Sequence, residues 1–276
     1  MTLMEDRITP DVLASLERAP DPRARRVLES LIHHLHAFAR EVALTDEEWL
    51  AGIRFLTAAG QKCDERRQEF ILISDVLGLS MLVDAINHGH AAGATEGTVL
   101  GPFHVEGARE IANGDDLAAG WPGEPAVVSG TVKDLDGRPI PGARLEIWQA
   151  DAEGLYDTQR PSYPERQLRA WLRTDAEGRF GFRTLRPTSY PVPTDGPAGV
   201  LLAMMGRHPY RPAHIHFIVQ APGYHRLVTH LFAAGDPYLG SDAVFGVKPS
   251  LIVELARDAD SGVHQATYAF VLEKAL

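Results

Sequence analysis

The sequence contains very little cysteine: Cys63 is the single one among 276 residues. One thiol per chain excludes an intrachain disulfide framework and any metal site that needs two or more cysteines. The sequence also lacks a cluster of lysine and arginine, and 37 acidic residues against 27 basic ones give a net charge of −10. Such a chain offers no basic face for phosphates, so we expect no nucleic-acid partner.

Long hydrophobic runs are absent as well. The longest uncharged apolar run covers residues 198–206, whereas a membrane-spanning helix needs about 20 residues, so we expect no membrane partner. The first ten residues include Glu5, Asp6 and Arg7 and show no apolar stretch of a signal peptide. With 45% hydrophobic and 23% charged residues, the composition is that of an ordinary globular protein. We expect it in the cytoplasm.

Residues 1–100 are predicted to form a helical domain with its connector. Apolar residues recur there at three- and four-residue spacing, which is typical of amphipathic helices. Thr45 and Glu48 form a capping box, and Thr9 followed by Pro10 predicts the start of the first helix. Helices are therefore predicted over residues 10–16, 28–42, 46–59, 70–77 and 81–86.

Residues 101–276 are predicted to form a β-domain, because from about residue 125 the apolar period changes to two. Residues 175–178 are interpreted as the turn of a hairpin. Short strands separated by glycine and proline turns favour a mainly β fold, an antiparallel β-sandwich. The strands are placed around residues 127–132, 143–147, 170–172, 180–182, 214–220 and 227–232.

Two of the three His-x-His pairs are poor candidates for a metal site. His34 and His36 fall in a predicted helix, where residues two apart point to different sides. His88 and His90 straddle a predicted helix end, where a histidine more often caps exposed carbonyl groups.

The third pair, His214 and His216, falls in a predicted strand, where residues two apart share one face and can bind one ion. Two hydrogen-bonded histidines on a polar face would show the same spacing, so the spacing alone leaves both interpretations open. Tyr156 and Tyr190 are phenols that a trivalent ion could ionise, although each is also an ordinary core or turn residue.

The sequence resembles the intradiol ring-cleaving dioxygenases over nearly its whole length. The most specific segments are residues 189–197, SYPVPTDGP, and 211–217, RPAHIHF. Residues 101–103, 142–150 and 155–156 match as well. The resemblance implies a β-sandwich catalytic domain over residues 101–276 and an N-terminal helical domain that forms most of a homodimer interface.

The resemblance also implies a ligand set for one non-haem Fe(III) per chain: Tyr156, Tyr190, His214 and His216. Two tyrosinates and one hydroxide balance the charge of a ferric ion, which permits a pocket of low dielectric constant. A catechol-type substrate would bind through both hydroxyl oxygens, Tyr190 would leave the metal to act as a base, and O₂ would be the second substrate.

Two further catalytic residues follow from the resemblance. Arg211 matches the family arginine beside the substrate ring, where a fixed cation stabilises developing negative charge; a surface ion pair is its alternative role. His230 stands where catechol-cleaving members often have glutamine. Its role stays open between a hydrogen bond to the site and plain strand packing.

The substrate expected from the resemblance is hydroxyquinol, with catechol or chlorocatechol as the alternative. Members that cleave hydroxyquinol resemble this chain in having an acid at Asp84, in His230 and in residues 242–247. An acid can accept a hydrogen bond from a third ring hydroxyl, although Asp84 could also be a solvated or capping acid. The product would be 3-hydroxy-cis,cis-muconate or maleylacetate, in aromatic catabolism. The predicted substrate-binding residues are Met81, Asp84, Val99, Leu100, Gly101, Pro102, Phe103, Val192, Pro193, Arg211 and Val244.

Two rival interpretations come from other classes. Residues 129–145 also resemble transthyretin-like sandwiches, which mostly bind or scaffold, but that match explains neither the helices nor the segment around His214. A zinc hydrolase using His214 and His216 would need a third ligand that the nearby sequence does not supply.

Overall fold

The N-terminal helices form where the apolar period is three to four. In the computed structural model, which describes residues 3–65, 67–87, 91–160 and 167–275, the chain separates into two compact units, Met1–Thr57 and Ala58–Leu276. The domain boundary expected after residue 100 stays a prediction. The helices in chain order are α1 (Leu3–Ser15), α2 (Pro22–Glu41), α3 (Asp46–Lys62), α4 (Glu69–Val76), α5 (Leu79–Asn87) and α6 (Pro197–Met204).

The predicted capping box at the start of α3 is confirmed. The backbone N–H of Thr45 donates to Glu48 Oε2 at 3.0 Å, and the backbone N–H of Glu48 donates to Thr45 Oγ1 at 3.3 Å. This reciprocal pair satisfies two N–H groups that have no partner within the helix. The helix continues past Gly60, where the sequence predicted its end, to Lys62.

The predicted start of the first helix is wrong. α1 begins at Leu3, and Pro10 lies inside it. Thr9 contacts α2 through two hydrogen bonds, one with His36 Nδ1 at 2.9 Å and one donated by Arg40 Nη2 at 2.6 Å. Tertiary contacts of this kind override the local preference of proline for a first helical turn. They also show a structural role for His36.

The β-structure comprises two packed sheets and a short two-stranded ribbon. The six-stranded sheet has the order β1-β4-β3-β8-β9-β10, the four-stranded sheet the order β11-β12-β2-β5, and β6 pairs with β7. The strands in chain order are β1 (Arg109–Glu110), β2 (Pro125–Asp134), β3 (Arg144–Trp148), β4 (Arg169–Arg173), β5 (Arg179–Leu185), β6 (Tyr190–Pro191), β7 (Tyr210–Arg211), β8 (His214–Gln220), β9 (Leu227–Ala233), β10 (Ile252–Val253), β11 (Ala256–Arg257) and β12 (His264–Leu272).

The hydrophobic core lies between the two sheets, which confirms the β-sandwich. Phe217 on β8 meets Phe182 on β5 and Phe270 on β12, with ring centroids 6.2 and 5.1 Å apart. Ile215 and Val219 are buried in the same core. Because side chains alternate along a strand, the residues between them face the other side of the sheet, where the functional residues lie.

The hairpin predicted around residues 175–178 is wrong. β4 pairs with β3 in one sheet, and β5 pairs with β2 in the other, so the turn carries the chain between sheets. Alternation identifies the inward residues of both strands but cannot say which sheet each strand joins. The pairing of β2 with β12 is parallel over its whole length, so the sandwich is mainly rather than wholly antiparallel.

Among the described residues, no helix is both long enough and apolar enough to cross a membrane. The pair His88 and His90 lies outside the described residues.

Candidate metal centre and substrate site

Strand register brings the candidate histidines together. His214 and His216 extend from the same face of β8, and β8 lies between β3 and β9. Trp148 of β3 and His230 of β9 are the register partners of His216. The indole of Trp148 stacks on the His216 ring with centroids 4.6 Å apart. The imidazole is therefore held between two neighbouring strands.

Four side-chain atoms of the predicted ligand set converge. Tyr156 Oη lies 2.8 Å from His216 Nε2 and 3.0 Å from Tyr190 Oη. His214 Nε2 lies 3.2 Å from His216 Nε2 and 3.5 Å from Tyr190 Oη. Donor atoms that share one ion at about 2.1 Å, with angles between 90° and 109°, lie about 3.0–3.4 Å apart. The four atoms therefore fit a single metal ion.

Burial sets the protonation of these four groups. Loss of water raises the pKa of Tyr156 well above its usual value and also raises that of Tyr190. The same loss of water, with Arg211 nearby, lowers the pKa values of His214 and His216. The imidazoles are therefore neutral with lone pairs available, and a highly charged cation would favour ionised phenols.

Neighbouring groups orient the ligands. His214 donates its Nδ1–H to the carbonyl oxygen of Pro212 at 2.6 Å, which leaves the lone pair of Nε2 facing the site. Phe103 stacks on the Tyr156 ring with centroids 4.4 Å apart. The backbone N–H of Tyr156 donates to Gln159 Oε1 at 2.9 Å. Both aromatic packing and a hydrogen bond thus fix the position of Tyr156.

Gly154 controls the position of Tyr190. Its φ is +81°, and a Cβ there would lie 2.6 Å from Tyr190 Cβ. Gly137 has a φ of +79° but nothing within 4 Å of a built Cβ, so it offers a matched control. Both Gly→Ala changes should cost about 1–2 kcal/mol of unfolding free energy through backbone strain.

Gly154→Ala should in addition displace Tyr190 and weaken metal binding by about 10–100-fold, whereas Gly137→Ala should leave metal binding unchanged. Metal titration and thermal unfolding of both variants check this. Equal metal affinity in the two variants would show that the contact between Gly154 and Tyr190 is not needed for the site.

Arg211 is buried beside the four ligand atoms, not in a surface ion pair. It is 3% exposed, and its Nη1 donates to His214 Nε2 at 3.2 Å. Its Nε and Nη2 donate to the two carboxylate oxygens of Asp242 at 3.2 and 3.4 Å. Burial opposes the charged form, but the Asp242 carboxylate outweighs it and raises the pKa of Arg211. A permanent cation therefore faces the site.

His230 lies on the same face as the candidate ligands. Its ring centroid is 4.1 Å from that of His216, and its Nδ1 hydrogen-bonds with Thr98 Oγ1. Its Nε2 is buried without a hydrogen-bond partner among the described residues. Candidate ligand atoms of His214, His216 and His230 lie within 4.8 Å of one another. The structure brings His230 to the site and leaves its role as a prediction.

Several predicted substrate residues line one cavity. Pro102, Phe103 and Pro193 border a space of about 250 Å³, together with Arg67 and Glu69. Phe103 also stacks on Tyr156, which connects this wall to the metal site. Val99, Val192 and Val244 are buried apolar residues, whereas Leu100 is exposed.

Asp84 lies on α5, and its carboxylate makes a polar contact with Lys248. Its side chain is 12% exposed, and its Oδ2 lies 3.7 Å from Lys248 Nζ. Met81, one turn earlier on α5, is half-buried. The assignment of Asp84 to the substrate stays a prediction.

Three residues near the site are not among the site residues predicted from the sequence, although Asp242 belongs to the matching segment 242–247. Asp242 binds Arg211 and also accepts from the backbone N–H of Gly246 at 2.9 Å. Arg207 donates to the carbonyl oxygens of Val76 at 2.7 Å and Ala243 at 2.9 Å, which ties the end of α4 to the Asp242 loop. Burial raises the pKa of Asp75 to about 6. For Asp75, an acid within an apolar helical run was the available signal.

Comparisons with known proteins give a consistent result. A model of the family described as "Dioxygenase" matches residues 100–274, and one described as "Catechol dioxygenase N terminus" matches residues 21–95. The 6-chlorohydroxyquinol 1,2-dioxygenase of Cupriavidus pinatubonensis is 53% identical over 272 residues, which cover 99% of this chain and 98% of that protein. The hydroxyquinol 1,2-dioxygenase of a Rhizobium species is 49% identical over 259 residues, 94% and 88% of the two chains.

Solved structures agree with these sequence relatives. The hydroxyquinol 1,2-dioxygenase of Pseudomonas putida DLL-E4 is 50% identical and superposes with a TM-score of 0.91 over 99% of both chains. The catechol 1,2-dioxygenase of Acinetobacter radioresistens is 28% identical, with a TM-score of 0.86 over 99% of this chain and 93% of that one.

Proposed function

This chain belongs to the intradiol ring-cleaving dioxygenases, and from that membership we propose that it is an iron(III) enzyme that cleaves hydroxyquinol with O₂ to 3-hydroxy-cis,cis-muconate or maleylacetate. The observation that carries the proposal is the convergence of Tyr156, Tyr190, His214 and His216 on one point. The names of the relatives at about half identity support hydroxyquinol as substrate. The dioxygenase family models match residues 21–95 and 100–274, whereas the transthyretin-like resemblance covers residues 129–145 only, so the dioxygenase is the better interpretation.

The donor set favours iron(III) over zinc. Two phenols beside two imidazoles supply hard, anionic oxygen ligands, which suit a ferric ion, whereas catalytic zinc sites use histidine, carboxylate or cysteine. When bound, iron(III) would act as a Lewis acid that binds the diol of the substrate and allows its reaction with O₂. Two phenolates and a hydroxide would leave this buried site neutral.

The protein's own residues would handle protons and charge. Tyr190 Oη lies beside Tyr156 Oη and His214 Nε2, so a Tyr190 phenolate could accept a proton from a substrate hydroxyl. Arg211, fixed by Asp242, would stabilise negative charge that develops on the substrate. The stacked rings of Phe103 and Trp148 cover the ligands and limit access of water.

Substrate choice is tested at Asp84. The wild type should show a higher kcat/KM for hydroxyquinol than for catechol. Asp84→Leu removes the acceptor for the third ring hydroxyl and should lower the hydroxyquinol value by about 5–150-fold, equivalent to about 1–3 kcal/mol, while catechol is spared. Asp84→Asn, which keeps one acceptor oxygen, serves as the matched control and should lose less.

Steady-state kinetics on hydroxyquinol, 6-chlorohydroxyquinol, catechol and chlorocatechols provide the measurement. A wild type that prefers catechol, with a ratio unchanged by Asp84→Leu, would assign the enzyme to catechol and remove Asp84 as the selector.

We further propose a homodimer, formed through the helical domain, in the cytoplasm. α2 and the residue that follows it, Val42, expose a row of large apolar side chains, which a monomer has little reason to keep. These are Leu28, Leu31, Leu35, Phe38 and Val42, each at least 41% exposed. Sedimentation equilibrium at micromolar concentration measures the state, and a monomer alone would refute the dimer. The cytoplasmic location is a prediction from composition.

A further inference from the structure

Lys248 joins three segments that bear predicted substrate residues. Its Nζ donates to the carbonyl oxygen of Gly97 at 2.6 Å and lies 3.7 Å from Asp84 Oδ2. Asp84 belongs to α5, Gly97 lies in the connector between α5 and β1, which continues past Phe103, and Lys248 itself follows the loop that contains Val244. One ammonium group therefore holds a helix, the connector and this loop together.

The contact with Gly97 extends to the metal side of the site. The next residue, Thr98, hydrogen-bonds through Oγ1 with His230 Nδ1, and its backbone N–H donates to the carbonyl oxygen of Val228 at 2.8 Å. The connector is thus fixed at Gly97 and again at Thr98. Because Thr98 anchors the connector without Lys248, loss of the ammonium group should act mainly on Asp84.

Both side chains of the ion pair are largely shielded from water, which strengthens the attraction between their charges. The side chains of Lys248 and Asp84 are 21% and 12% exposed. A carboxylate at this depth is costly without an opposite charge nearby. An ionised carboxylate accepts hydrogen bonds and cannot donate them, so it selects for a ligand that presents a hydroxyl donor.

We propose that Lys248 is a positioning residue for substrate selection: its contact with Asp84 holds that carboxylate in place and directed toward the third hydroxyl of the ring. The inference rests on the proposed function and deepens it. Catechol has no third hydroxyl. Lys248 should therefore contribute to the binding of hydroxyquinol and very little to the turnover of catechol.

The test compares Lys248→Met with Lys248→Arg in the iron-loaded enzyme. Met keeps most of the apolar stem without the charge, and Arg keeps the charge. Lys248→Met should lower kcat/KM for hydroxyquinol by about tenfold, mainly through KM, with catechol changed less than about threefold. Lys248→Arg should recover most of the loss. Lys274→Met, which removes an exposed lysine paired with Asp134 and Asp136, is the matched control.

A double substitution separates selection from general support. Because Lys248 acts through Asp84, Lys248→Met added to Asp84→Leu should cause no further loss on hydroxyquinol. Thermal unfolding checks that the variants fold, and Lys248→Gln replaces Lys248→Met if the latter does not fold. Equal losses on both substrates, or additive losses in the double variant, would show a structural tie only and overturn the inference.

These outcomes are distinct from failure of the proposed function. A wild type that cleaves catechol faster than hydroxyquinol contradicts the proposed function before any variant is made. A wild type that prefers hydroxyquinol, with a preference that Lys248→Met leaves unchanged, contradicts only the inference about Lys248.

Discussion

Replacing His216 with alanine is expected to remove the metal and, with it, ring cleavage. Substitution of residues that merely orient a ligand typically costs 10–100-fold in metal affinity, so loss of one of four protein ligands should cost more than about 100-fold. The iron-loaded wild type should be red-brown, because charge transfer from the tyrosinates of Tyr156 and Tyr190 to iron(III) absorbs visible light. His216→Ala should be colourless as purified.

The measurements are metal content per chain, the visible spectrum and the rate of hydroxyquinol cleavage. His34→Ala is the matched control, since His34 belongs to another His-x-His pair but lies exposed on α2. It should retain metal and colour. Full iron content and colour in His216→Ala would contradict the ligand assignment, whatever the activity of that variant.

The pair His214 and His216 shows which part of the site the spacing of residues in the sequence can predict. Alternation along a strand correctly placed His214 and His216 on one face and Ile215 on the core side, because the period of two is a property of the backbone. The tyrosines had no such signal. Tyr156 follows a turn and Tyr190 lies in a short ribbon, and they meet the histidines only through tertiary folding. The family resemblance supplied them.

The errors have a similar physical origin. The predicted helix start at Pro10 depends on local preference alone, whereas the contacts of Thr9 with His36 and Arg40 stabilise a longer helix. The hairpin predicted at residues 175–178 depends on the same alternation in both flanking strands. Whether two such strands pair with each other depends on neighbours that lie far away in sequence.

Partners of buried charges were the hardest to find from the sequence. Arg211 could be expected near the substrate, but Asp242 lies 31 positions away and Lys248 lies farther still from Asp84. Ion pairs across such separations leave no periodic pattern. The structure is therefore most informative about which charges are neutralised at the site and by which residue.

The pair formed by Arg211 and Asp242 leads to the second large expected effect. Asp242→Asn should destabilise the protein by about 3–5 kcal/mol, because the guanidinium of Arg211 stays buried with its charge uncompensated. The carboxylate also accepts from the backbone N–H groups of Val244 and Gly246. Asn offers one oxygen in place of two, so the loop should loosen as well.

Arg211→Met provides the contrast. It removes the cation and leaves Asp242 with its two backbone donors, so the stability loss should be smaller than for Asp242→Asn. Turnover should nonetheless fall by about 10²–10³-fold in both variants, since each removes or displaces the charge that stabilises the reacting substrate. The double variant should be more stable than Asp242→Asn alone, because it no longer buries an unpaired charge.

Denaturant unfolding and steady-state kinetics of the three variants measure both effects. Asp136→Asn is the matched control: this aspartate is exposed, pairs with Arg138, and should change stability by no more than about 0.5 kcal/mol. If Asp242→Asn were as stable as wild type, the buried charge of Arg211 would not need Asp242 as its counter-ion. If Arg211→Met kept full turnover, the buried cation would have no part in the reaction, and its ion pair with Asp242 would serve only to hold the loop in place.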